Sequence, residues 1–359
     1  MRILQVIDSL EIGGAEKMSV NFANALASCN HFSGLIATRK EGRLKSQIDE
    51  KVHYLFLDKK RVFDFKALLK MRRFCVTNKV EVLHAHSSSF FLACLLKIIL
   101  PHLKIIWHDH NGVGNIPKKD GTLYIQLMSV FFSGIISVNQ QLKYWAKKKL
   151  FCKKIIYLPN FTIPSTFSAT LKTTTLYGNE GKRILCLANL RCQKNHFLLI
   201  EVAKQLKLHF TEWTLHFVGK DFQDDYSSKL KEMVIQHDLL ETVYFYGSRE
   251  DVDHIINQCE IAVFSSNSEG LPVALLEYGL QSKAVLSTKV GEIPMIIQDG
   301  ENGFLVDVND SESFYNCLQR LITDQLLRKK FGRNLYQVIH ENHSKEKVIN
   351  DYMIWLKEL

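Results

Sequence analysis

Residues 261–280 read Ile-Ala-Val-Phe-Ser-Ser-Asn-Ser-Glu-Gly-Leu-Pro-Val-Ala-Leu-Leu-Glu-Tyr-Gly-Leu, and this stretch is the most informative part of the sequence. Its first four residues predict a buried strand, a polar turn follows up to Gly270, and Pro272 suits the start of a helix, where its missing N–H costs nothing. In an open parallel sheet, ligands bind at the carboxyl ends of strands, and the unpaired N–H groups of a helix start attract phosphate. The stretch therefore predicts a strand–loop–helix unit that binds phosphate, and Gly270 lets the backbone approach closely.

Two carboxylates lie in this unit, Glu269 in the turn and Glu277 in the helix. The helix is apolar on nearly every side, so we expect it to be buried with Glu277 as its one charge. A buried carboxylate needs partners. Ribose hydroxyls would serve, and an internal ion pair with a nearby Lys or Arg is the alternative.

Outside this unit, short apolar runs alternate with helix-period segments along the whole chain, first from Ile3 to Leu158 and again from Arg183 onward. Such alternation predicts two doubly wound parallel sheets with helices on both faces. A Thr/Ser-rich, weakly patterned stretch separates the two series. We therefore predict a first domain over 1–160, a linker over 161–181, a second domain over 182–342, and a helix over 343–359 that packs back toward the first domain.

Several classes of protein are disfavoured by composition and pattern. In neither predicted domain is the first strand followed by the Gly-x-Gly-x-x-Gly spacing of a dinucleotide fold, which weakens a dehydrogenase interpretation. The longest apolar run, 90–100, is too short to span a membrane and contains Lys97. The amino terminus resembles a buried strand rather than a signal peptide, and the eight cysteines lack metal-finger spacing. These features predict a cytoplasmic protein with reduced cysteines.

The charge of the chain is divided unevenly. The net charge is +9, but residues 1–165 carry +14 and the remainder carries −5. A basic half suits an anionic membrane surface, a phosphate-bearing acceptor or nucleic acid, and a solvated face without a partner is the alternative. No nucleic-acid recognition motif is present, so we do not expect nucleic acid as a partner.

The Glu269 and Glu277 motif, with Gly-Leu-Pro after the first glutamate and seven residues between the pair, resembles the retaining glycosyltransferases of family 4. The resemblance covers nearly the whole chain. It implies the GT-B architecture, two facing Rossmann-like domains with a cleft between them. It also implies that Glu277 binds the ribose of a nucleotide sugar, that Glu269 binds hydroxyls of the transferred sugar, and that the Gly270, Leu271 and Pro272 segment faces the diphosphate.

Gly13-Gly14-Ala15-Glu16 follows the first strand and opens a helix. Two glycines permit close backbone approach, and a helix start favours an anion, so we expect Gly13 and Gly14 on the donor side and Glu16 on the acceptor side. A tight turn that happens to use Gly-Gly is the competing interpretation.

Four histidines end two neighbouring strand patterns. His110 falls where the resemblance implies a histidine near the reacting sugar, and His84, His86 and His108 are assigned to the acceptor side. Zinc is conceivable, but no carboxylate or cysteine completes a ligand spacing, and we predict no metal.

The segment Asn189–Asn195 opens the second domain. The resemblance implies an Arg and a Lys five residues apart that hold the donor diphosphate. Lys194 occupies the lysine position, whereas Asn189 stands where the arginine is expected. Arg191 is the candidate replacement, although strand side chains alternate in direction and equivalence does not follow from proximity.

By the same resemblance, transfer proceeds with retention at the anomeric carbon. His110, Glu269 and Lys194 are the catalytic residues, and no cofactor is needed beyond a UDP- or GDP-sugar. The expected acceptor is a saccharide or a polyprenyl-diphosphate-linked saccharide of capsule, O-antigen or exopolysaccharide assembly. A basic first domain with aromatic stretches near Phe131–Phe132 and Tyr144–Trp145 suits peripheral binding at the inner membrane surface. A nucleotide-sugar epimerase of the same fold and a non-catalytic nucleotide-sugar binder are the alternatives.

Overall fold

The computed structural model describes residues 1–29, 31–110, 119–163 and 173–359, and for residues 119–122 it describes the backbone only. The chain divides into two compact units, which we call unit 1 (Met1–Ile163 with Ser344–Leu359) and unit 2 (Pro164–His343). Of the predicted linker, residues 164–172 lie outside the described residues. Phe161 is buried in unit 1 and accepts a hydrogen bond from Asn21 Nδ2 at 3.0 Å. Thr174 donates to Asp251 of unit 2 from its backbone N–H and its hydroxyl.

The described part of unit 1 contains a seven-stranded parallel sheet in the order β3-β2-β1-β4-β5-β6-β7. The strands are β1 Arg2–Ser9, β2 Phe32–Lys40, β3 His53–Phe56, β4 Val82–His86, β5 Lys104–Asp109, β6 Gly134–Ser137 and β7 Ile155–Tyr157. The helices are α1 Gly14–Ser28, α2 Phe65–Thr77, α3 Phe90–Ile99, α4 Lys119–Met128 and α5 Gln140–Lys149.

The described part of unit 2 contains a six-stranded parallel sheet in the order β10-β9-β8-β11-β12-β13. The strands are β8 Arg183–Leu187, β9 Thr214–Val218, β10 Val243–Gly247, β11 Ile261–Phe264, β12 Ala284–Thr288 and β13 Phe304–Val306. The helices are α6 His196–His209, α7 Asp225–Gln236, α8 Val252–Asn257, α9 Val273–Leu280, α10 Ile293–Ile296, α11 Ser311–Thr323 and α12 Gln325–Asn342.

Both sheets reverse their strand order beside their first strand, between β1 and β4 in unit 1 and between β8 and β11 in unit 2. The prediction of two Rossmann-like doubly wound domains is confirmed. The central strands β4, β9, β11 and β12 are buried along their whole length, because helices cover both faces of a parallel sheet. In such a sheet the loops after the strands on either side of the reversal form the usual ligand site.

The last helix, α13 (Lys345–Lys357), belongs to unit 1. Its Trp355 ring lies 2.5 Å from the position that a Cβ on Gly134 would take, so only glycine fits at the start of β6. Its Tyr352 is fully buried and hydrogen-bonds His84. The buried residues of α13 are Val348, Ile349, Tyr352, Trp355 and Leu356, whereas Ile354 is 51% exposed.

None of the helices in the described chain is both long enough and apolar enough to cross a membrane. All eight cysteines are free.

Candidate active site

An ion pair lies at the strand-order reversal of unit 2. Lys194, in the loop after β8, places Nζ 2.6 Å from Oε1 of Glu269, in the loop after β11. Ser266 Oγ donates to the same carboxylate oxygen at 2.6 Å. The Glu269 side chain is 8% exposed and that of Lys194 is 22% exposed, so the pair is held in a protected position that solvent still reaches. The structure therefore brings together two of the three residues predicted to be catalytic.

The two loops that carry this pair are tied to each other. Ser265 Oγ donates to the carbonyl oxygen of Lys194 at 2.8 Å, and the Asn267 N–H donates to the carbonyl of Gln193 at 2.8 Å. Asn195 adopts the left-handed conformation (φ 49°, ψ 49°), which asparagine tolerates better than most residues, and its Nδ2 donates to Asn267 Oδ1 at 3.2 Å. These bonds fix the Lys194 backbone against the Glu269 loop.

The turn after β12 supports the start of α9. The Glu292 N–H donates to the carbonyl of Gly270 at 3.0 Å. Gly291 has a φ of +58°, and a Cβ built on it would lie 2.3 Å from the carbonyl oxygen of Glu269. Pro272 is the N-cap residue of α9, one position before the first turn, and the side chain of Leu271 is buried. Glycine at 291 is therefore required by both backbone conformation and space.

Gly291→Ala should destabilise unit 2 by about 2–4 kcal/mol, because left-handed strain adds to a steric clash. Gly300→Ala is the matched control, since Gly300 has a φ of +75° but nothing lies within 4 Å of its would-be Cβ. We expect Gly300→Ala to cost about 1 kcal/mol, the strain alone. Urea unfolding of the full chain measures both, and equal losses in the two variants would contradict the proposed contact.

Glu277 lies in the middle of α9 and is partly buried, as the apolar pattern of the helix predicts. Beside it, Tyr278 is fully buried, and its hydroxyl accepts the Leu187 N–H at 2.8 Å. Helix α9 also packs closely on α12, where a Cβ on Gly279 would meet Ile339 at 2.5 Å. The helix is thus held from both sides, and Tyr278 is a supporting residue that the sequence pattern did not single out.

Asn189 and Arg191 make other contacts. Asn189 Oδ1 accepts the Lys220 N–H at 2.7 Å, which ties the end of β8 to the end of β9. The Arg191 guanidinium lies over the ring of Phe222, 4.6 Å from its centroid, and Lys220 Nζ approaches the same ring at 5.2 Å. Asn189 thus contacts Lys220, and Arg191 contacts Phe222, both in the segment after β9. The assignment of Asn189 and Arg191 to the donor-binding site stays a prediction.

The Gly13–Gly14 segment of unit 1 opens α1 as predicted. Gly13 is the N-cap residue, and its extended backbone (φ −168°) is open to any residue. Glu16 lies in the first turn, and its carboxylate folds over Gly13, with Oε2 2.3 Å from the would-be Cβ. A carboxylate at a helix start is favoured by the helix dipole, and here Glu16 occupies the space beside Gly13, whereas nothing lies within 4 Å of a Cβ built on Gly14.

The four predicted histidines come together at the carboxyl ends of β4 and β5, and hydrogen bonds join them into two chains. His86 Nε2 lies 2.8 Å from Gln5 Oε1 on β1, and His86 Nδ1 lies 2.8 Å from His110 Nε2. In the second chain, Tyr352 OH lies 3.0 Å from His84 Nδ1, and His84 Nε2 lies 3.0 Å from His108 Nδ1.

Packing keeps these imidazoles neutral. The rings of His84 and His86 stack at 4.4 Å and those of His108 and His110 at 3.9 Å, while Phe22 sets its edge against the cluster. Burial lowers the pKa of His110 to about 3. Burial first, and then neighbouring imidazoles, hold the pKa of His84, His86 and His108 well below the ordinary value. At neutral pH the cluster therefore consists of hydrogen-bonding groups without charge.

The histidine cluster also has the composition of a metal site. His84, His86 and His108 place ligand-type nitrogens within 4.8 Å of one another. Zinc bonds imidazole at about 2.0–2.1 Å, which sets its ligand nitrogens about 3.3 Å apart. The hydrogen bonds already use both nitrogens of His84, both of His86 and Nδ1 of His108. The geometry supports a hydrogen-bonded cluster over a metal centre, and the absence of a metal stays a prediction.

Sequence reasoning missed Gln5 and Ser266 as site residues, and it missed Tyr352 as a structural partner of the buried His84. Gln5 carried a usable signal, because it is a polar residue inside an apolar strand and is fully buried. Tyr352 carried none, since its partner His84 is 268 residues away in sequence.

Comparisons with known proteins point to one family. The family model for glycosyl transferases group 1 matches residues 168–338, and the model for glycosyltransferase family 4 matches residues 12–164. An uncharacterized glycosyltransferase of Haemophilus influenzae is 26% identical over 353 residues, 95% of each chain. An Escherichia coli protein named UDP-Gal:alpha-D-GlcNAc-diphosphoundecaprenol alpha-1,3-galactosyltransferase is 20% identical and covers 96% of this chain and 91% of its own.

Among solved structures, Anabaena HepE in complex with UDP and glucose superposes with a TM-score of 0.81 over 100% of both chains, at 17% identity. This likeness concerns the fold. Together with two family models that match consecutive stretches of the sequence, it leads to the conclusion that the chain belongs to the group 1 glycosyltransferases of family 4, enzymes with the GT-B fold.

Proposed function

We propose that this glycosyltransferase transfers a sugar from a UDP- or GDP-sugar, with retention of configuration, to a saccharide carried on a polyprenyl diphosphate during surface polysaccharide assembly. The observation that carries the proposal is the Lys194–Glu269 pair at the strand-order reversal of unit 2. Two comparisons support the substrate classes. The name of the Escherichia coli relative specifies UDP-galactose and a diphosphoundecaprenol-linked acceptor, and HepE was crystallised with UDP and glucose.

On the donor side, Lys194 neutralises the diphosphate, and the backbone at Gly270, Leu271 and Pro272 approaches it at the start of α9. Glu269 binds hydroxyls of the transferred sugar. Because both of its hydrogen bonds fall on Oε1, Oε2 is the oxygen that a hydroxyl would approach. Glu277 binds the ribose hydroxyls. This division of roles requires no cofactor other than the donor itself.

In the transfer step, the bond between the anomeric carbon and the phosphate oxygen breaks while the acceptor hydroxyl attacks on the same face. The acceptor proton passes to the departing phosphate oxygen. Positive charge develops on the sugar ring in such a transition state. The neutral imidazole of His110 stabilises the donor sugar, and Lys194 stabilises the departing diphosphate.

A donor and acceptor panel tests the proposal. UDP-, GDP- and ADP-sugars are each incubated with and without a lipid-diphosphate-linked saccharide, and free nucleotide is measured. We expect acceptor-dependent release from a UDP- or GDP-sugar, with the α-linkage of an α-donor retained in the product. Inverted product would contradict retention, and equal release without the acceptor would contradict transfer to the lipid.

We also propose that unit 1 binds the inner membrane surface from the cytoplasmic side, and the structure changes which residues support this. Phe132 and Trp145, from the predicted aromatic stretches, pack into the core of unit 1, although Tyr144 is 68% exposed. Exposed apolar residues also lie around the start of α2, where Phe63, Phe65 and Leu69 are 61–78% exposed.

This apolar surface is extended and basic. Ring contacts run from Phe63 to Phe91 at 5.4 Å and from Phe91 to Tyr124 at 5.9 Å, so the start of α2 is joined to α4. Exposed basic residues surround Phe63 and Phe65 in sequence: Lys60, Arg61, Lys66, Lys70, Arg72 and Arg73. An apolar edge with a basic surround is the pattern that binds anionic lipid.

The double variant Phe63→Ser/Phe65→Ser should lower partitioning onto vesicles of phosphatidylglycerol by about a hundredfold or more, because each of the two inserted phenylalanines contributes about 1.5–3 kcal/mol. Leu326→Ser is the matched control, since Leu326 on α12 is 78% exposed, like Phe65. Sedimentation with vesicles measures the binding. Equal loss in both variants, or equal binding to uncharged phosphatidylcholine vesicles, would contradict the assigned surface.

A further inference from the structure

Three adjacent strands of unit 1 contribute one residue each to a hydrogen-bonded chain. Gln5 is on β1, His86 ends β4, and His110 follows β5. Gln5 and His86 are fully buried, whereas His110 is partly exposed. The chain therefore leads from the interior of the sheet to a ring at its carboxyl edge, where ligands of such sheets bind.

The order of donors along this chain follows from chemistry. An amide oxygen only accepts, so His86 Nε2, at 2.8 Å from Gln5 Oε1, carries the proton. A neutral imidazole has one N–H, so His86 Nδ1 is an acceptor, and His110 Nε2 must donate to it across 2.8 Å. The remaining nitrogen of His110, Nδ1, then holds a lone pair.

We infer that Gln5 and His86 are positioning residues, which fix His110 as the Nε2–H tautomer so that its Nδ1 accepts a hydroxyl of the donor sugar. This inference rests on the proposed function of His110. A sugar presents hydroxyl groups. The lone pair on His110 Nδ1 is a pre-organised acceptor for such a hydroxyl, and the neutral imidazole brings no charge to the site. An imidazole of the opposite tautomer would offer an N–H there and would repel a ring that becomes positive.

The second chain of the cluster differs at its end. Tyr352 and His84 lead to His108, whose Nε2 is buried and has no partner among the described residues. His108 is 1% exposed, so this chain ends inside the protein. It provides a matched control, because Tyr352→Phe removes the terminal group of a neighbouring imidazole chain.

The first measurement is the tautomer itself. In ¹⁵N-labelled full-length protein, imidazole ¹⁵N shifts and their couplings to ring protons show which nitrogen of His110 is protonated. We expect the Nε2–H form in the wild type, a mixture of both forms in Gln5→Leu, and the wild-type form in Tyr352→Phe. A His110 protonated on Nδ1 in the wild type, or an unchanged tautomer in Gln5→Leu, would overturn the inference.

The second measurement is the rate of nucleotide release. We expect Gln5→Leu to lower kcat by about tenfold with little change in the KM for the acceptor, and Tyr352→Phe to keep kcat within a factor of two. If Gln5→Leu changes the tautomer of His110 while kcat stays the same, the hydrogen-bonded chain does set the tautomer, but the role proposed for His110 in transfer is wrong. The two readouts thus separate failure of the inference from failure of the proposed function.

Gln5→Glu keeps an acceptor at this position and tests the same logic if Gln5→Leu does not fold. A carboxylate beside His86 favours its protonated form and raises its pKa. The titratable groups beside His86 are His84 on its own strand, His108 on β5 and His110 after β5, and Tyr352 on α13 reaches the cluster through His84. Protonated His86 donates from both nitrogens, so His110 Nε2 must accept and its proton moves to Nδ1. As the pH is lowered, we expect the Gln5→Glu variant to lose activity at a higher pH than the wild type does. Superimposable pH–activity profiles of the two proteins would overturn the inference.

Discussion

Glu277→Ala should lower kcat/KM for the nucleotide sugar by two to three orders of magnitude while leaving the fold intact. A carboxylate that accepts two ribose hydroxyls forms hydrogen bonds worth about 1.5–3 kcal/mol each, because one partner is charged. Glu277 is partly buried in a helix held by Tyr278 on one side and by α12 on the other. Removing its side chain therefore leaves a rigid gap, which neighbouring residues do not fill.

The experiment compares nucleotide release and thermal unfolding in three variants. Glu277→Gln keeps the shape and one acceptor oxygen, but it replaces the second oxygen with an amide donor and loses the charge, so we expect a loss of about tenfold. Glu232→Ala, at an exposed position on α7, is the matched control and should behave as wild type. Full activity in Glu277→Ala would remove Glu277 from the donor site. If Glu277→Ala unfolds, the Glu277→Gln variant decides the question.

The strand–loop–helix unit around Glu269 was predictable because its signals are local. A short apolar run, a polar turn with glycine and a proline at the helix start each depend on neighbouring residues, and the structure has β11 at Ile261–Phe264 and α9 at Val273–Leu280. The alternation of such units also predicted both parallel sheets. Ligands of parallel sheets bind at the carboxyl ends of the strands, and this rule predicted the correct edge of each sheet for the candidate site residues.

The partners of these residues were not predictable in the same way. Lys194 and Glu269 were each assigned a ligand, and their ion pair joins positions 75 residues apart. The contact depends on which strands become neighbours at the strand-order reversal, and apolar periodicity does not specify that order. The Gln5–His86 bond, across 81 residues, has the same origin.

The direction of individual side chains was the second feature that the sequence did not predict. The aromatic stretches near Phe132 and Trp145 carried both a core and a membrane interpretation, and the structure places these two rings in the core. Phe65 and Leu69, which are exposed, lie on a helix whose Leu68 and Met71 are buried. One residue of offset decides whether a side chain is buried or exposed, and this offset becomes visible only when the helix is placed on its sheet.

Lys194→Ala should lower kcat by about 10²–10³-fold, the usual cost of losing one group that stabilises charge in the transition state. Two effects act in the same direction. The departing diphosphate loses its cation, and the carboxylate of Glu269, 8% exposed and 2.6 Å from Nζ in the wild type, is left to repel it. Stability should fall by about 1–3 kcal/mol, less than for a fully buried pair because Lys194 is 22% exposed.

The double variant Lys194→Ala/Glu269→Gln separates these effects. Removing the unpaired charge should restore most of the lost stability in urea unfolding, since the destabilisation comes from the carboxylate left without its partner. Transfer should stay low, because no cation has been returned to the diphosphate. Arg191→Ala is the matched control for a nearby cation, and because Arg191 lies over Phe222, we expect less than tenfold loss. Recovery of transfer in the double variant would show that Lys194 serves only to neutralise Glu269, and a larger loss in Arg191→Ala than in Lys194→Ala would assign the diphosphate to Arg191.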